Sequence, residues 1–131
     1  SIRGPDMRVP GHYHASIGAV TLAFMFMTHL ALGGVRNRKM SRSIWIYGVG
    51  QIVFASGMFL AGFFGMPRKT YGAEHVLTHW GQSLGLALMA LGGLVAMAGG
   101  LQFAFAILPR LKGAFAFRLA GSAREFLKRE N

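Results

Sequence analysis

Residues 76–108 read VLTHWGQSLGLALMALGGLVAMAGGLQFAFAIL and contain no Lys, Arg, Asp or Glu. A helix crosses the hydrocarbon core of a bilayer with about 20 predominantly apolar residues, so this stretch predicts a transmembrane helix. Two further uncharged apolar stretches of spanning length precede it, at 15–35 and 44–66. The sequence therefore predicts an all-α integral membrane protein with three transmembrane helices.

The composition agrees with a membrane protein. Of the 131 residues, 53% are hydrophobic and 14% are charged, which is unusual for a soluble domain. The chain has no Cys, so its metal ligands would be His, Met, carboxylate or backbone groups. The net charge of +10 lies in short clusters beside the apolar stretches, and topology explains this better than nucleic-acid binding. Because the chain begins with Ser and shows no signal-peptide pattern, we expect a missing N-terminal portion.

The basic residues predict the orientation. Residues 36–43 contain four and residues 109–131 contain six, whereas 67–75 contain two. By the positive-inside rule, the first connection and the C-terminus lie in the cytoplasm and the N-terminus lies outside. The predicted segments are an entry segment at 1–14, spans at 15–35, 44–66 and 76–108, a cytoplasmic loop at 36–43, an outward loop at 67–75 and a basic tail at 109–131.

Four glycines of the third span share one helix face. Gly81, Gly85, Gly92 and Gly99 fall within about 40° of one another at 100° per residue. Small residues let helices in membranes approach closely. This glycine stripe therefore predicts a packing interface with a neighbouring helix.

Two histidines stand where the first span begins. On a helix, His12 and His14 are about 200° apart and differ by about 3 Å of rise, so they point to nearly opposite faces. Such a pair suits a helix that stands between two flat cofactors and gives each one an axial imidazole ligand. The alternative is two interfacial histidines that hydrogen-bond to headgroups or carbonyls, and spacing leaves both interpretations open.

The run RGPDMRVPGHYH at 3–14, followed by AVTL at 19–22, resembles the tenth helix of subunit I of the haem-copper oxidases. Its Val-Pro-Gly-His-aromatic-His form is similar to that of B-type oxidases and related nitric oxide reductases. In that family, the first His of the pair binds the high-spin, catalytic haem and the second binds the low-spin haem. The resemblance implies these axial roles for His12 and His14, respectively.

A second motif, GMPRKTY at 65–71, resembles the Gly-Met-Pro-Arg-Arg-x-Tyr loop between the last two helices of the family. The basic pair of that loop contacts the haem propionates, which implies this role for Arg68 and Lys69. Lys69 replaces an Arg and lacks its planar, bidentate fork. Asp6 is expected as a weaker contact to a propionate or to a water network.

The resemblance covers the last three of about twelve family helices. It implies a part of a larger bundle, whose other helices belong to the same or a separate chain and hold the non-haem Cu or Fe. It also implies a terminal oxidase in a prokaryotic inner membrane, with two haems and proton translocation. The electron donor would be cytochrome c, a cupredoxin-like subunit or quinol. The alternatives are a nitric oxide reductase, a haem b membrane anchor and a structural subunit without a cofactor.

Three other histidines have weaker patterns. His75 and His79 have the i, i+4 spacing found in zinc sites, but interfacial packing is favoured because no third ligand is in view. His29 lies near the predicted cytoplasmic end of the first span. We expect it to pack against a neighbour or to snorkel toward the interface.

Overall fold

The computed structural model describes residues 6–33, 37–67 and 79–129, and for 114–129 it describes the backbone alone. Within these ranges the chain forms three helices and no strand: α1 (Arg8–Gly33), α2 (Arg38–Phe63) and α3 (Trp80–Arg129). Each helix contains a segment that is long and apolar enough to cross a membrane. The predicted fold class, an all-α membrane protein with three spanning helices, is confirmed.

Helix α1 begins before the apolar stretch that it contains. The Asp6 carboxylate accepts a hydrogen bond from the backbone N–H of Arg8 at 2.9 Å, as a capping residue does. Pro10 is tolerated in the first turn because its nitrogen would have no partner there. The histidine motif, predicted within an entry segment, therefore lies on the helix itself.

Both ends of α2 are capped by local sequence. At its start, the Asn37 side chain accepts hydrogen bonds from the backbone N–H groups of Lys39 and Met40. At its end, Gly65 has a φ of +77°, and the Gly65 and Met66 N–H groups bond back to carbonyls of the last turn, as in a Schellman motif. We call the end of the bundle where α2 begins the Asn37 end. The opposite end, where α2 ends at the turn that pairs with Asp6, is the Asp6 end.

Helix α2 lies between α1 and α3, which have little contact with each other. The four residues of the glycine stripe are buried against α2. A Cβ on Gly85 would lie 2.8 Å from the Gly57 carbonyl oxygen, and one on Gly99 would lie 2.8 Å from the Tyr47 Cα. The predicted interface is confirmed, because the backbones of α2 and α3 approach too closely for a side chain at these positions.

Helix α3 is continuous through Pro109 and is 50 residues long. Its candidate membrane span is Trp80–Gly113, and the helical backbone continues to Arg129. The predicted end of this span is residue 108, where the uncharged apolar stretch ends. Here the backbone of the basic tail continues the helix instead.

A small core holds the Asn37 end together. Met25, Met40 and Phe103 are buried there, one from each helix. His29 of α1 is 3% exposed, and its Nε2 lies 3.3 Å from the Ser41 hydroxyl of α2. Its side chain is therefore packed against α2. Many large apolar side chains on the outer faces are exposed, which suits contact with lipid or with further helices.

Candidate functional site

Two glycines set the rotation of α1 against α2. A Cβ on Gly11 would lie 3.2 Å from the Met58 Cβ, and one on Gly18 would lie 2.9 Å from the Gln51 Oε1. We call this line of contact the α1–α2 seam. At 100° per residue, His14 projects about 60° to one side of Gly11 and His12 about 100° to the other. The two imidazoles therefore lie on different sides of the seam.

On the His14 side, a cavity of about 440 Å³ runs between α2 and α3. The His14 ring meets the Phe54 ring edge-on, with centroids 5.1 Å apart and planes at 78°. This contact orients the imidazole at the rim of the cavity. The other residues of the lining are Tyr47, Gln51, Gly93, Ala96, Met97, Gly100 and Leu101. His14 thus borders a largely apolar groove with small residues on its α3 wall.

On the His12 side, a smaller cavity of about 280 Å³ follows α1 deeper into the bundle. Its α1 wall includes Ala15, Ala19 and Leu22, and its α2 wall includes Ile52. Ala19 lies about 20° in rotation from His12 and about 10 Å further along the helix axis. This groove therefore continues the surface from which the His12 imidazole projects, although His12 does not line it.

Both imidazoles are available as ligands. His12 and His14 are exposed, and neither ring has a hydrogen-bond partner among the residues that the structure describes. An axial haem ligand needs a neutral imidazole nitrogen with a free lone pair and an apolar wall for the macrocycle. His14 has an unbonded ring and such a wall, and His12 has an unbonded ring. Because they project to different sides, they suit two separate groups and not one shared metal.

In the described ranges, no three His, Asp or Glu side chains come close enough together to hold a metal ion. Asp6 is held by Arg8 instead. The Arg8 Nε donates to both carboxylate oxygens at 3.0 Å. These side-chain hydrogen bonds, followed by the backbone bond from Arg8, hold the pKa of the Asp6 carboxyl below its usual value. The suggested Asp6 contact to a propionate stays a prediction.

Arg8 was missed by the sequence analysis. It lies one turn before His12 and on the same face of α1. Its guanidinium is paired with the Asp6 carboxylate, and this ion pair lies at the Asp6 end, near the face from which His12 projects. An Asp two positions before an Arg, with Pro shortly after, is the signal that could have revealed a helix start here.

The two motifs of the resemblance meet at the Asp6 end. The Met7 N–H donates to the Met66 carbonyl at 3.2 Å, and Asp6 forms an antiparallel bridge with Pro67. This contact holds the Gly-Met-Pro turn beside the start of α1. The predicted basic pair, Arg68 and Lys69, follows directly but lies outside the described residues.

His79 packs at the start of α3. Its ring stacks on Phe64, with centroids 4.4 Å apart and planes at 18°, and its Nδ1 accepts a hydrogen bond from the Gly81 N–H. Packing is therefore its observed role in the described structure. Its predicted zinc-spacing partner, His75, lies outside the described residues.

Gln51 is a second residue that the sequence analysis missed. It lies at the middle of α2, is partly buried, and lines the cavities on both sides of the seam. A polar amide in the centre of a membrane span is uncommon and marks a functional candidate. The signal was available in the sequence, since Gln51 is the one amide side chain in the apolar stretch 44–66.

Comparison with known proteins gives distant similarities. The chain is 24% identical to cytochrome c oxidase subunit 1 of Thermus thermophilus, over 76% of this chain and 19% of that protein. It is 23% identical to an uncharacterized protein of Rickettsia prowazekii, over 80% of this chain and 23% of that protein. The chain thus spans about a fifth of the length of these curated relatives. No family model and no solved structure matches it.

Proposed function

We propose that this chain is the haem-binding C-terminal part of the catalytic subunit of a respiratory terminal oxidase, which reduces O2 to water and translocates protons. His12 is the axial ligand of the high-spin, catalytic haem, and His14 is an axial ligand of the low-spin haem. The observation that carries the proposal is the arrangement at the Asp6 end. Two unbonded imidazoles project to opposite sides of the α1–α2 seam, and the Gly-Met-Pro turn is hydrogen-bonded to the same helix start.

The chain's own residues bind and orient the two cofactors. Phe54 fixes the ring orientation of His14, and the small residues Gly93 and Gly100 leave a flat wall beside it. Arg68 and Lys69, in the loop after the Gly-Met-Pro turn, contact the haem propionates. Cationic partners of this kind keep carboxylates ionised at the membrane edge. When bound, the haems carry electrons and reduce the substrate, with potentials set by the axial imidazoles.

The rest of the active site comes from other helices of subunit I, on the same or a separate chain. These supply the second axial ligand of the low-spin haem and the ligands of a non-haem Cu or Fe. Electrons come from cytochrome c, a cupredoxin-like subunit or quinol. The basic residues at the Asn37 end favour a cytoplasmic location for that end and an outside location for the N-terminus. The membrane of this proposal is a prokaryotic inner membrane. The name of the Thermus relative favours O2 over nitric oxide as the substrate.

The test is to replace the two histidines separately and to record absorbance spectra of the purified complex, reduced and then exposed to carbon monoxide. His12→Ala removes the carbon monoxide-binding haem, and His14→Ala removes the low-spin haem. His79→Ala is the matched control, since this imidazole packs on Phe64, and it retains both haems. Identical spectral losses from the first two variants, or equal losses from the control, would refute the assignment. Oxygen uptake compared with nitric oxide uptake then identifies the substrate.

A further inference from the structure

A cavity of about 820 Å³ lies at the Asn37 end, between the start of α2 and the last turns of the α3 span. Three cationic residues line it: Lys39 and Arg42 from α2, and Arg110 from α3. Asp6, the one acidic residue whose side chain the structure describes, lies at the opposite end of the bundle. The cavity therefore concentrates positive charge without a described carboxylate to balance it.

The position of these cations on α2 is unfavourable in an isolated helix. Basic residues in the first turns face the positive end of the helix dipole, where anions are stabilising instead. Arg38 and Arg42 are also a like-charge pair at i, i+4, which destabilises a helix. An anion in the cavity relieves both repulsions.

Arg110 is held at the cavity by its own helix and by α2. Its Nη1 donates to the Ala106 carbonyl at 3.1 Å and to the Met40 Sδ at 3.4 Å. Neither partner carries a charge, so the guanidinium is oriented without being neutralised. A positioned guanidinium of this kind is suited to binding a phosphate oxygen.

The rest of the lining combines the polar side chains of Asn37 and Gln102 with an apolar stretch of α3. Phe105, Ala106 and Pro109 line the α3 side, and Phe105 is 72% exposed. From Gln102 to Arg110, the lining extends about 12 Å along the helix axis. A charged rim above an apolar wall matches a ligand with an anionic head and a hydrocarbon tail.

We propose that this cavity binds an anionic phospholipid, with the phosphate among Lys39, Arg42 and Arg110 and an acyl chain along Phe105 and Pro109. The cavity lies beside the first turns of the candidate α2 span, and lipid headgroups flank the hydrocarbon core at the ends of such spans. Basic pockets between transmembrane helices are a known means of binding such headgroups. The proposal uses none of the residues assigned to haem and stands independently of the proposed function.

The test is titration of the purified full-length complex with dioleoylphosphatidylglycerol, with bound lipid counted by native mass spectrometry. Each cation near the surface strengthens the binding of an anionic lipid by about fivefold. Arg42→Gln/Arg110→Gln therefore weakens binding by about 25-fold. The control, Arg38→Gln/Lys112→Gln, also removes one charge from each helix, but at residues that do not line the cavity. Because neither of its residues lines the cavity, the control weakens binding less than Arg42→Gln/Arg110→Gln does.

Three outcomes would overturn the proposal: equal losses in both double variants, binding of dioleoylphosphatidylcholine as tight as that of the anionic lipid, or binding of glycerol phosphate as tight as that of the lipid. The last would identify a site for a free phosphate. If the Arg110 change prevents folding, Arg42→Gln and Arg38→Gln form the matched single pair. Arg42→Gln then weakens binding by about fivefold, and Arg38→Gln weakens it less because Arg38 does not line the cavity.

Discussion

Neighbouring glycines on α3 provide a sharp test of the packing. Gly99 faces α2, where an added Cβ would lie 2.8 Å from the Tyr47 Cα, whereas a Cβ on Gly100 would lie 3.7 Å from the Tyr47 ring. Carbon atoms in good contact are about 3.5–4.0 Å apart, so Gly99→Ala must move the two backbones apart by about 0.7–1.2 Å. Gly100→Ala needs no movement.

The expected free energies follow from this difference. Overpacking a close contact costs about 1–3 kcal/mol, whereas replacing Gly by Ala within a helix favours it by up to about 1 kcal/mol. The second effect is shared by both variants. Gly99→Ala is therefore less stable than Gly100→Ala by about 1–3 kcal/mol.

The assay is unfolding in mixed detergent micelles with increasing sodium dodecyl sulfate, followed by circular dichroism, with Gly113→Ala as a control because nothing lies within 4 Å of a Cβ there. Equal stabilities of the Gly99 and Gly100 variants would show that α2 and α3 are not packed at the distance described. A Gly99 variant of normal stability with altered cofactor spectra would show that the helices had moved without loss of packing energy. Either result would contradict the close packing of α2 and α3 at Gly99.

Two further predictions concern polar contacts. Because Arg8 lowers the pKa of Asp6, the ion pair is present above the ordinary carboxyl pKa of 3.8 and is lost as the pH falls through the lower folded value. The Arg8 amide therefore loses protection from hydrogen exchange in acid. Asp6→Asn abolishes this loss. A variant that loses protection over the same pH range as the unmodified protein would contradict the prediction. Ser41→Ala removes the described partner of buried His29 and destabilises the protein by about 1–3 kcal/mol. If this loss comes from leaving the His29 imidazole unpaired, the double variant Ser41→Ala/His29→Leu is more stable than Ser41→Ala alone. The detergent unfolding described above measures the stability of both variants.

The number and type of the helices could be predicted from the sequence because the apolar stretches are long and uncharged. The glycine stripe also predicted which face of α3 is in contact with a neighbour. The helix ends could not be predicted from hydropathy, because capping determines them. Asp6 starts α1 ahead of its apolar stretch, and α3 continues through Pro109 because a proline removes one hydrogen bond without forbidding the remaining ones.

Only the part of the candidate site that lies on α1 could be predicted from the sequence. The spacing of His12 and His14 sets the angle between them, but the residues that α2 and α3 place beside them depend on helix rotation. Phe54 lies far from His14 in sequence but contacts its ring, and Gln51 lines the same cavity, because Gly11 and Gly18 bring α1 against α2. Single-helix periodicity contains no information about such a contact.

The length of α3 has a mechanical consequence. Its 50 residues extend about 75 Å, whereas a bilayer with its headgroups is about 40–45 Å thick. About 30 Å of the same rod therefore lies beyond the span or along the surface of the membrane. Pro109 removes one backbone hydrogen bond from this helix, so we expect α3 to bend there more readily than at its other positions.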